Sequence, residues 1–290
     1  MHRKTGKRNQ DCLLEVSNPW QKLFHYLMLA IWTIIIVVPL MIVLFTSFKT
    51  TDELVFKDIF SLPDSFLNLE NYRLFVDRAK IPQAFKNTMF LIVCSVPISL
   101  LMAAMASYVL DRFDFRGRKL VGALFSGAVL IPNITTQVAK FTLIRSLGVY
   151  NTRWAGVILF TAADIVQIYL FRQFIKNVPR ELDESAMIDG ASLPTIFFRV
   201  VIPQLIPAFA TTAILKALSI YNDLFIGYLY MPASELRTVS QTIRLFTTDY
   251  GGQWNVISAG VVTILLPTII VYLFVQKWIV SGLTNGAVKG

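Results

Sequence analysis

The chain has 290 residues, 55% of them hydrophobic, with a mean hydropathy of +0.59 and a formal net charge of +9. Long apolar runs with few charges recur along it, which excludes an ordinary soluble domain and points away from the short alternating strands of a β-barrel. Two histidines and two cysteines, Cys12 and Cys94, form no metal-ligand spacing and no disulfide framework, and no basic groove interleaved with aromatics suggests nucleic acid as a partner.

In chain order, a basic arm over 1–22 carries Arg3, Lys4, Lys7, Arg8 and Lys22. The first apolar run, about Leu23–Phe48, is too long for a signal-peptide core and reads as a retained span. A loop of about 35 residues follows, Lys49–Gln83, with Pro63, Pro82 and the helix-like "NLENYRLFV". It is either a partner-facing cap or a linker. Further spans are expected at about Ala84–Leu110, Leu120–Leu143, Trp154–Phe171, Ala208–Tyr230 and Trp254–Gln276. The fold class is therefore an all-α polytopic membrane protein with six transmembrane helices and both termini on one side. The loop "DRFDFRGRK" (Asp111–Lys119) holds four basic residues in nine. With the arm, with Arg172, Lys176, Arg180 and Arg199, and with Lys277 and Lys289, it assigns that side to the cytoplasm. The positive charge reads as topology, with attraction to anionic lipid heads.

Three spans carry polar residues at helical spacing. Asn133, Thr136, Gln137 and Lys140 share one face of the third. Thr161, Asp164 and Gln167 do so in the fourth, and Lys216, Ser219 and Asp223 in the fifth, with Asn222 beside them. Charge facing lipid is costly, so these faces suit a shared polar pathway, or interhelical hydrogen bonding that uses the same residue types. Lys216 and Asp223 lie about 10.5 Å apart along a helix and need other partners, such as another subunit. Pro39, Pro97, Pro132 and Pro267 lie within spans and can kink them.

Between the fourth and fifth spans lies an insert at about 179–207, "ELDESAMIDGASLPTIFFRVVIPQLIP" from Glu181. Pro179 suits a helix start, and Glu181, Asp183 and Glu184 suit its first turns. Leu182, Ala186 and Met187 give it apolar character. Asp189-Gly190 ends that helix, with Gly190 in the left-handed C′ position. Ser192 is an N-cap candidate for a second helix with Pro194 in its first turn, and Phe197, Val200 and Val201 form its apolar face. Pro203 and Pro207 end it. An acidic, partly apolar helix suits a protein groove better than an anionic bilayer surface, so the insert is a docking element or a joining helix.

"ESAMIDGASLPTIFFRVVIPQLIPA" (Glu184–Ala208) closely resembles the EAA loop of the permease subunits of bacterial ABC importers. Glu184, Ala186, Asp189, Gly190, Ala191, Phe197, Ile202, Pro203 and Pro207 match its pattern, and Ser185 stands where an alanine is usual. "YVLDRFDFRGRK" resembles the family's loop between the second and third spans, "YNDLFIGYLYM" and "GGQWNVISAG" are similar to the carbohydrate-uptake branch, and "QKWIVSGLTNGAVKG" to the end of its maltose-type second permease. The resemblance implies a transport subunit, not an enzyme, for a sugar or oligosaccharide, with core 84–280 and cytoplasmic tail 281–290. It implies a second related permease, a cytoplasmic ATPase dimer and an extracytoplasmic solute-binding protein as partners. It implies that Glu184, Ser185, Ala186, Met187, Asp189, Gly190, Ala191, Ile202 and Pro203 couple to the ATPase. No G-x-x-x-x-G-K-[ST] loop is present, so ATP and Mg are expected on the partner ATPase and no cofactor on this chain. An ion-coupled secondary transporter using Asp164 and Asp223 is the rival reading.

Overall fold

A computed structural model describes residues 19–128, 130–248 and 252–287. Arg3, Lys4, Lys7, Arg8, Cys12 and Lys289 lie outside the described residues, as does the side chain of Asn133. Among the described residues the fold is helical throughout, without strands.

Helix α1 (Pro19–Thr46) runs along the outside of the bundle, its apolar side chains exposed as in a lipid-facing span. Two short helices, α2 (Thr51–Phe56) and α3 (Glu70–Arg78), build the loop that follows. Helix α4 (Ile81–Arg112) is the central post. Ser95, Ser99, Ala103 and Ser107 recur every four residues along it, all fully buried. Small side chains at that spacing let neighbouring backbones approach closely. Against this stripe pack α7 (Arg153–Thr161) and α8 (Ile165–Lys176), which follow α5 (Arg118–Ala128) and α6 (Gln137–Ser146). Ser95 donates to the Val157 carbonyl at 3.4 Å, Ser99 to that of Ala162 at 3.2 Å and Ser107 to that of Ile168 at 3.0 Å.

After α8 come α9 (Arg180–Ile188), α10 (Leu193–Ile196), a π-turn over Phe197–Val201, α11 (Ile202–Gln204) and α12 (Ile206–Asn222). The chain closes with α13 (Phe225–Tyr230), α14 (Val239–Thr248) and α15 (Trp254–Ala287). One apolar core joins α4, α7, α8, α12 and the π-turn through Leu91, Ala104, Phe171, Phe197 and Leu205. A second, under α3, gathers Phe75, Val239, Phe246 and Val256.

Three helices, α1, α4 and α15 as far as Phe274, are individually long and apolar enough to cross a membrane. The pairs α7–α8 and α10/α11–α12 reach that length only as bent units, at 44° and 78°. The run Leu120–Leu143, expected as one span, is instead α5, a turn, a 3-10 segment Asn133–Thr136 and α6. Pro132 removes an amide donor and disfavours helix at Ile131, so the run breaks there.

Candidate functional site

The insert is built around α9. Its start follows Pro179, whose φ of −58° leads into the helix. Asp183, in the first turn, points inward rather than to solvent. Its Oδ2 lies 3.1 Å from Arg112 Nε at the end of α4, with both side chains over nine-tenths buried. Arg112 also donates to the Val178 carbonyl at 2.7 Å, and the Tyr108 hydroxyl donates to Asp183 Oδ2 at 3.4 Å. Arg180 donates to the Asp111 carbonyl at 3.0 Å. These contacts clamp the insert to the basic end of α4. By sequence, Asp183 reads only as a partner of the helix dipole. Its spacing from the other acids carries no sign of an inward pair, and only the four basic residues of 111–119 hint at one.

Helix α9 ends in a Schellman motif. Ala191 N–H donates to the Ala186 carbonyl and Gly190 N–H to that of Met187, each at 3.0 Å, with Gly190 at φ +80°. Open space surrounds the position of a Gly190 Cβ, so the backbone angle is what favours glycine there. Ser192 has extended N-cap backbone angles, but its hydroxyl meets Thr195 Oγ1 at 2.9 Å instead of capping an amide. The second helix is not continuous: the π-turn turns Phe197 and Val201 into the core, and the chain bends at Leu205 between Pro203 and Pro207.

Ala186 and Ala191 pack toward the core and Ile202 is half-buried, whereas Glu184, Ser185, Asp189, Gly190 and Pro203 are exposed. Leu182, Met187 and Ile188 are exposed too, Ile188 by 87%. The apolar strip expected over Leu182, Ala186 and Met187 thus divides, with alanine inward and the larger side chains exposed. At about 100° per residue Leu182, Met187 and Ile188 lie on three different sides of α9, and the outward side is shared by Glu181, Glu184, Ser185 and Ile188.

The second constellation is a break in the fourth polar stretch. Asp164, extended at φ −90°, ψ 162°, is the N-cap of α8 and forms a capping box with Gln167. Thr161, Asp164 and Gln167 are therefore not on one continuous helix face: the capping box favours a fresh helix start over continuation. Lys216 on α12 reaches across, 3.2 Å from the Ala162 carbonyl and 3.4 Å from Asp164 Oδ2. Ser99 donates to Gln167 Oε1 at 2.9 Å. Lys216 thus finds a carboxylate partner within its own chain, Asp164. Its side chain is 9% exposed and that of Asp164 47%.

Asp223 ends α12 and accepts the Ile226 amide at 2.7 Å, while Ser219 and Asn222 are exposed on this chain's surface. Thr136, at the end of the 3-10 segment, and Gln137 and Lys140 of α6 are half-buried, and Tyr230 donates to Gln137 Oε1 at 2.7 Å.

The long loop after α1 is also a built site. Lys49, fully buried, donates to the carbonyls of Asp58 and Ile59 and to Ser61 Oγ. Asn71 donates to the carbonyls of Ser47 and Lys49, and Asn255 of α15 donates to Asn71 Oδ1 at 3.0 Å. Gly260 of α15 leaves room for the Phe75 ring, which a Cβ would overlap. The sequence does not separate cap from linker because Asn71 and Asn255 are 184 residues apart.

The family described as binding-protein-dependent transport system inner membrane component matches residues 15–285. The chain is 30% identical over 275 residues to the probable ABC transporter permease protein YurM of Bacillus subtilis, covering 94% of this chain and 89% of that protein. It is 32% identical over 254 residues to the probable starch degradation products transport system permease protein AmyC of Thermoanaerobacterium thermosulfurigenes, covering 87% and 91%. Its fold is similar to a chain of a bacterial ABC transporter involved in the import of the acidic polysaccharide alginate, with TM-score 0.77 and 24% identity over 90% of this chain and 98% of that one. The chain belongs to the family of binding-protein-dependent inner membrane components: it is a permease subunit of an ABC importer, a transport component and not an enzyme.

Proposed function

We propose that this permease forms half of the translocation pathway for a sugar or oligosaccharide and takes its power stroke through the insert at 179–207. Relatives named for melibiose, raffinose and stachyose, for arabinooligosaccharides and for starch degradation products support the substrate class. The observation that carries the coupling role is the division of labour on α9. Asp183 is fixed to Arg112, while Ile188 faces outward beside Glu181 and Glu184. A helix anchored on one side, with Glu181, Glu184 and Ile188 on the other, fits a groove on a cytoplasmic ATPase, and the EAA resemblance of Glu184–Ala208 agrees. That docking transmits closure only if the helix binds one ATPase state better than the other.

In this reading six spans cross the membrane, with α5 and α6 together as the third and both termini cytoplasmic. The polar residues of α6, the α7–α8 break and α12 face the pathway. A second permease completes it, a solute-binding protein feeds it from the other side, and the ATPase dimer holds ATP and Mg. Gly190→Leu tests the coupling. A leucine at φ +80° is strained by about 1–2 kcal/mol. In proteoliposomes of the assembled transporter, the variant is expected to insert and assemble. Uptake and solute-stimulated ATP hydrolysis should both fall at least tenfold. Wild-type uptake with wild-type stimulation would remove the insert from the coupling path.

A further inference from the structure

At the end of the bundle that carries the insert, the turn between α4 and α5 lines an open cleft of about 870 Å³. Its lining includes Arg116, Arg118, Lys119 and Arg172, against the one carboxylate of Asp114. Asp114 pairs with Arg118, which also donates to the Leu110 carbonyl at 2.8 Å. Arg172 has only a 3.9 Å approach to Asp111, and its buried Nε has no acceptor among the described residues. Arg116 and Lys119 have no ion pair or side-chain hydrogen bond among the described residues. The first residues of α5 line the same cleft, so the positive end of that 11-residue helix adds to the cations.

This cleft is not isolated. Leu110 and Phe115 line it and also line an apolar groove of about 280 Å³. The groove follows the last two turns of α4, past Met105 and Val109, and is walled by Val121 and Phe125 of α5. Met105 to Arg112 spans about 10 Å of helix, the depth of several acyl carbons. A cup with more cations than carboxylates, joined to an apolar trough, fits one class of amphiphile: an acidic head on a hydrocarbon chain.

We propose that this junction is a binding site for an anionic phospholipid, its phosphate among Arg116, Lys119 and Arg172 and one acyl chain along α4. Basic pockets between helices near the cytoplasmic face suit such headgroups. The site goes beyond general attraction to a charged bilayer, because a particular groove receives the tail. Arg172 and Asp111 also join the site to Arg180, and so to the insert.

The test uses the assembled transporter in detergent, titrated with dioleoyl phosphatidylglycerol or dioleoyl phosphatidylcholine and followed by native mass spectrometry. Phosphatidylglycerol is expected to be retained and phosphatidylcholine lost. Arg116→Gln with Lys119→Gln should weaken retention roughly 10- to 30-fold, taking about 1 kcal/mol per basic residue near the surface. Arg73→Gln, on the exposed side of α3, should leave it unchanged. Dihexanoyl phosphatidylglycerol should bind at least tenfold more weakly, and Val121→Trp, which fills the groove, should abolish that preference for long chains. Equal retention of the two dioleoyl lipids, or no effect of the double variant, overturns the site. Displacement by millimolar inorganic phosphate with no dependence on chain length overturns the lipid assignment in favour of a free-anion site.

Discussion

Two regions of this permease outside its long apolar helices, the cap at 49–83 and the insert at 179–207, are held in place by different means. The cap ties its buried polar groups into one network. Lys49 spends its donors on two carbonyls and a hydroxyl of the cap, and Asn71 stitches α3 to the end of α1. Asn255 and Gly260 seal the cap against α15. The insert is satisfied on one face only. It has the Arg112–Asp183 pair inside and Leu182, Met187 and Ile188 outside. The cap nonetheless leaves Val55, Phe56, Phe60 and Leu67 exposed, so an apolar outer surface is common to both regions and the way each is held is not. The cap's polar hold is spread over α1, α3 and α15, whereas that of the insert is concentrated on the buried Arg112–Asp183 pair. The two should therefore fail differently when broken.

The largest effect is expected at the insert's anchor. Asp183→Ala leaves Arg112 charged in a buried site, and removal of one partner of such a pair costs about 3–5 kcal/mol. The insert should become sensitive to limited proteolysis, and solute-stimulated ATP hydrolysis by the assembled transporter should collapse. Replacing both partners, as Arg112→Met with Asp183→Leu, should restore much of the protease resistance, because an apolar pair of similar volume is often neutral. A single variant with normal protection and normal stimulation would show that the pair is not the anchor.

The anchor marks the boundary of what the sequence makes legible. The apolar runs announce the long helices α1, α4 and α15, and "DG" followed by "SLP" announces the Gly190 turn, because those signals are local. Asp164 and Gln167 are equally visible as polar residues. Their capping box, however, depends on an extended backbone at Asp164, and the helical spacing alone suggests a continuous face. Pro132 is visible as a kink, yet the chain goes further there and breaks into two helices. The least legible features are pairings across distance. Lys216 with Asp164, Asp183 with Arg112, and Asn71 with Asn255 are each separated by tens to hundreds of residues, and no periodicity relates them.

A smaller and more local effect is expected in the cap. Gly260→Leu forces a side chain into the space of the Phe75 ring, and overpacking of this kind typically costs about 1–3 kcal/mol. Amide exchange over 70–78 should accelerate while exchange over 180–188 stays at its wild-type rate. If both regions loosened together, the cap and the insert would be one cooperative unit, and the contrast between them would fail.

The finest test separates them by pH. Glu53, on α2, accepts the Thr50 amide at 2.7 Å and the Asp64 amide at 2.7 Å, with Lys57 nearby. The Thr50 amide chiefly holds its carboxyl below the usual glutamate value of 4.5; burial opposes this, while the Asp64 amide and Lys57 add to the lowering. A group whose folded value is depressed stabilises the folded state above its unfolded value, and that contribution fades as pH falls through the folded one. The cap should therefore keep its full protection near neutrality and begin to lose it below about pH 4.5. Glu53→Gln cannot titrate. It should be slightly less protected at pH 7, because a charge-assisted acceptor becomes a neutral one, and its protection should be flat across the acid range. Exchange over 51–64 between pH 7 and pH 4, corrected for intrinsic rates, reads both. An acid loosening of the same size in Glu53→Gln would assign the pH dependence to another carboxylate and detach Glu53 from the cap's stability.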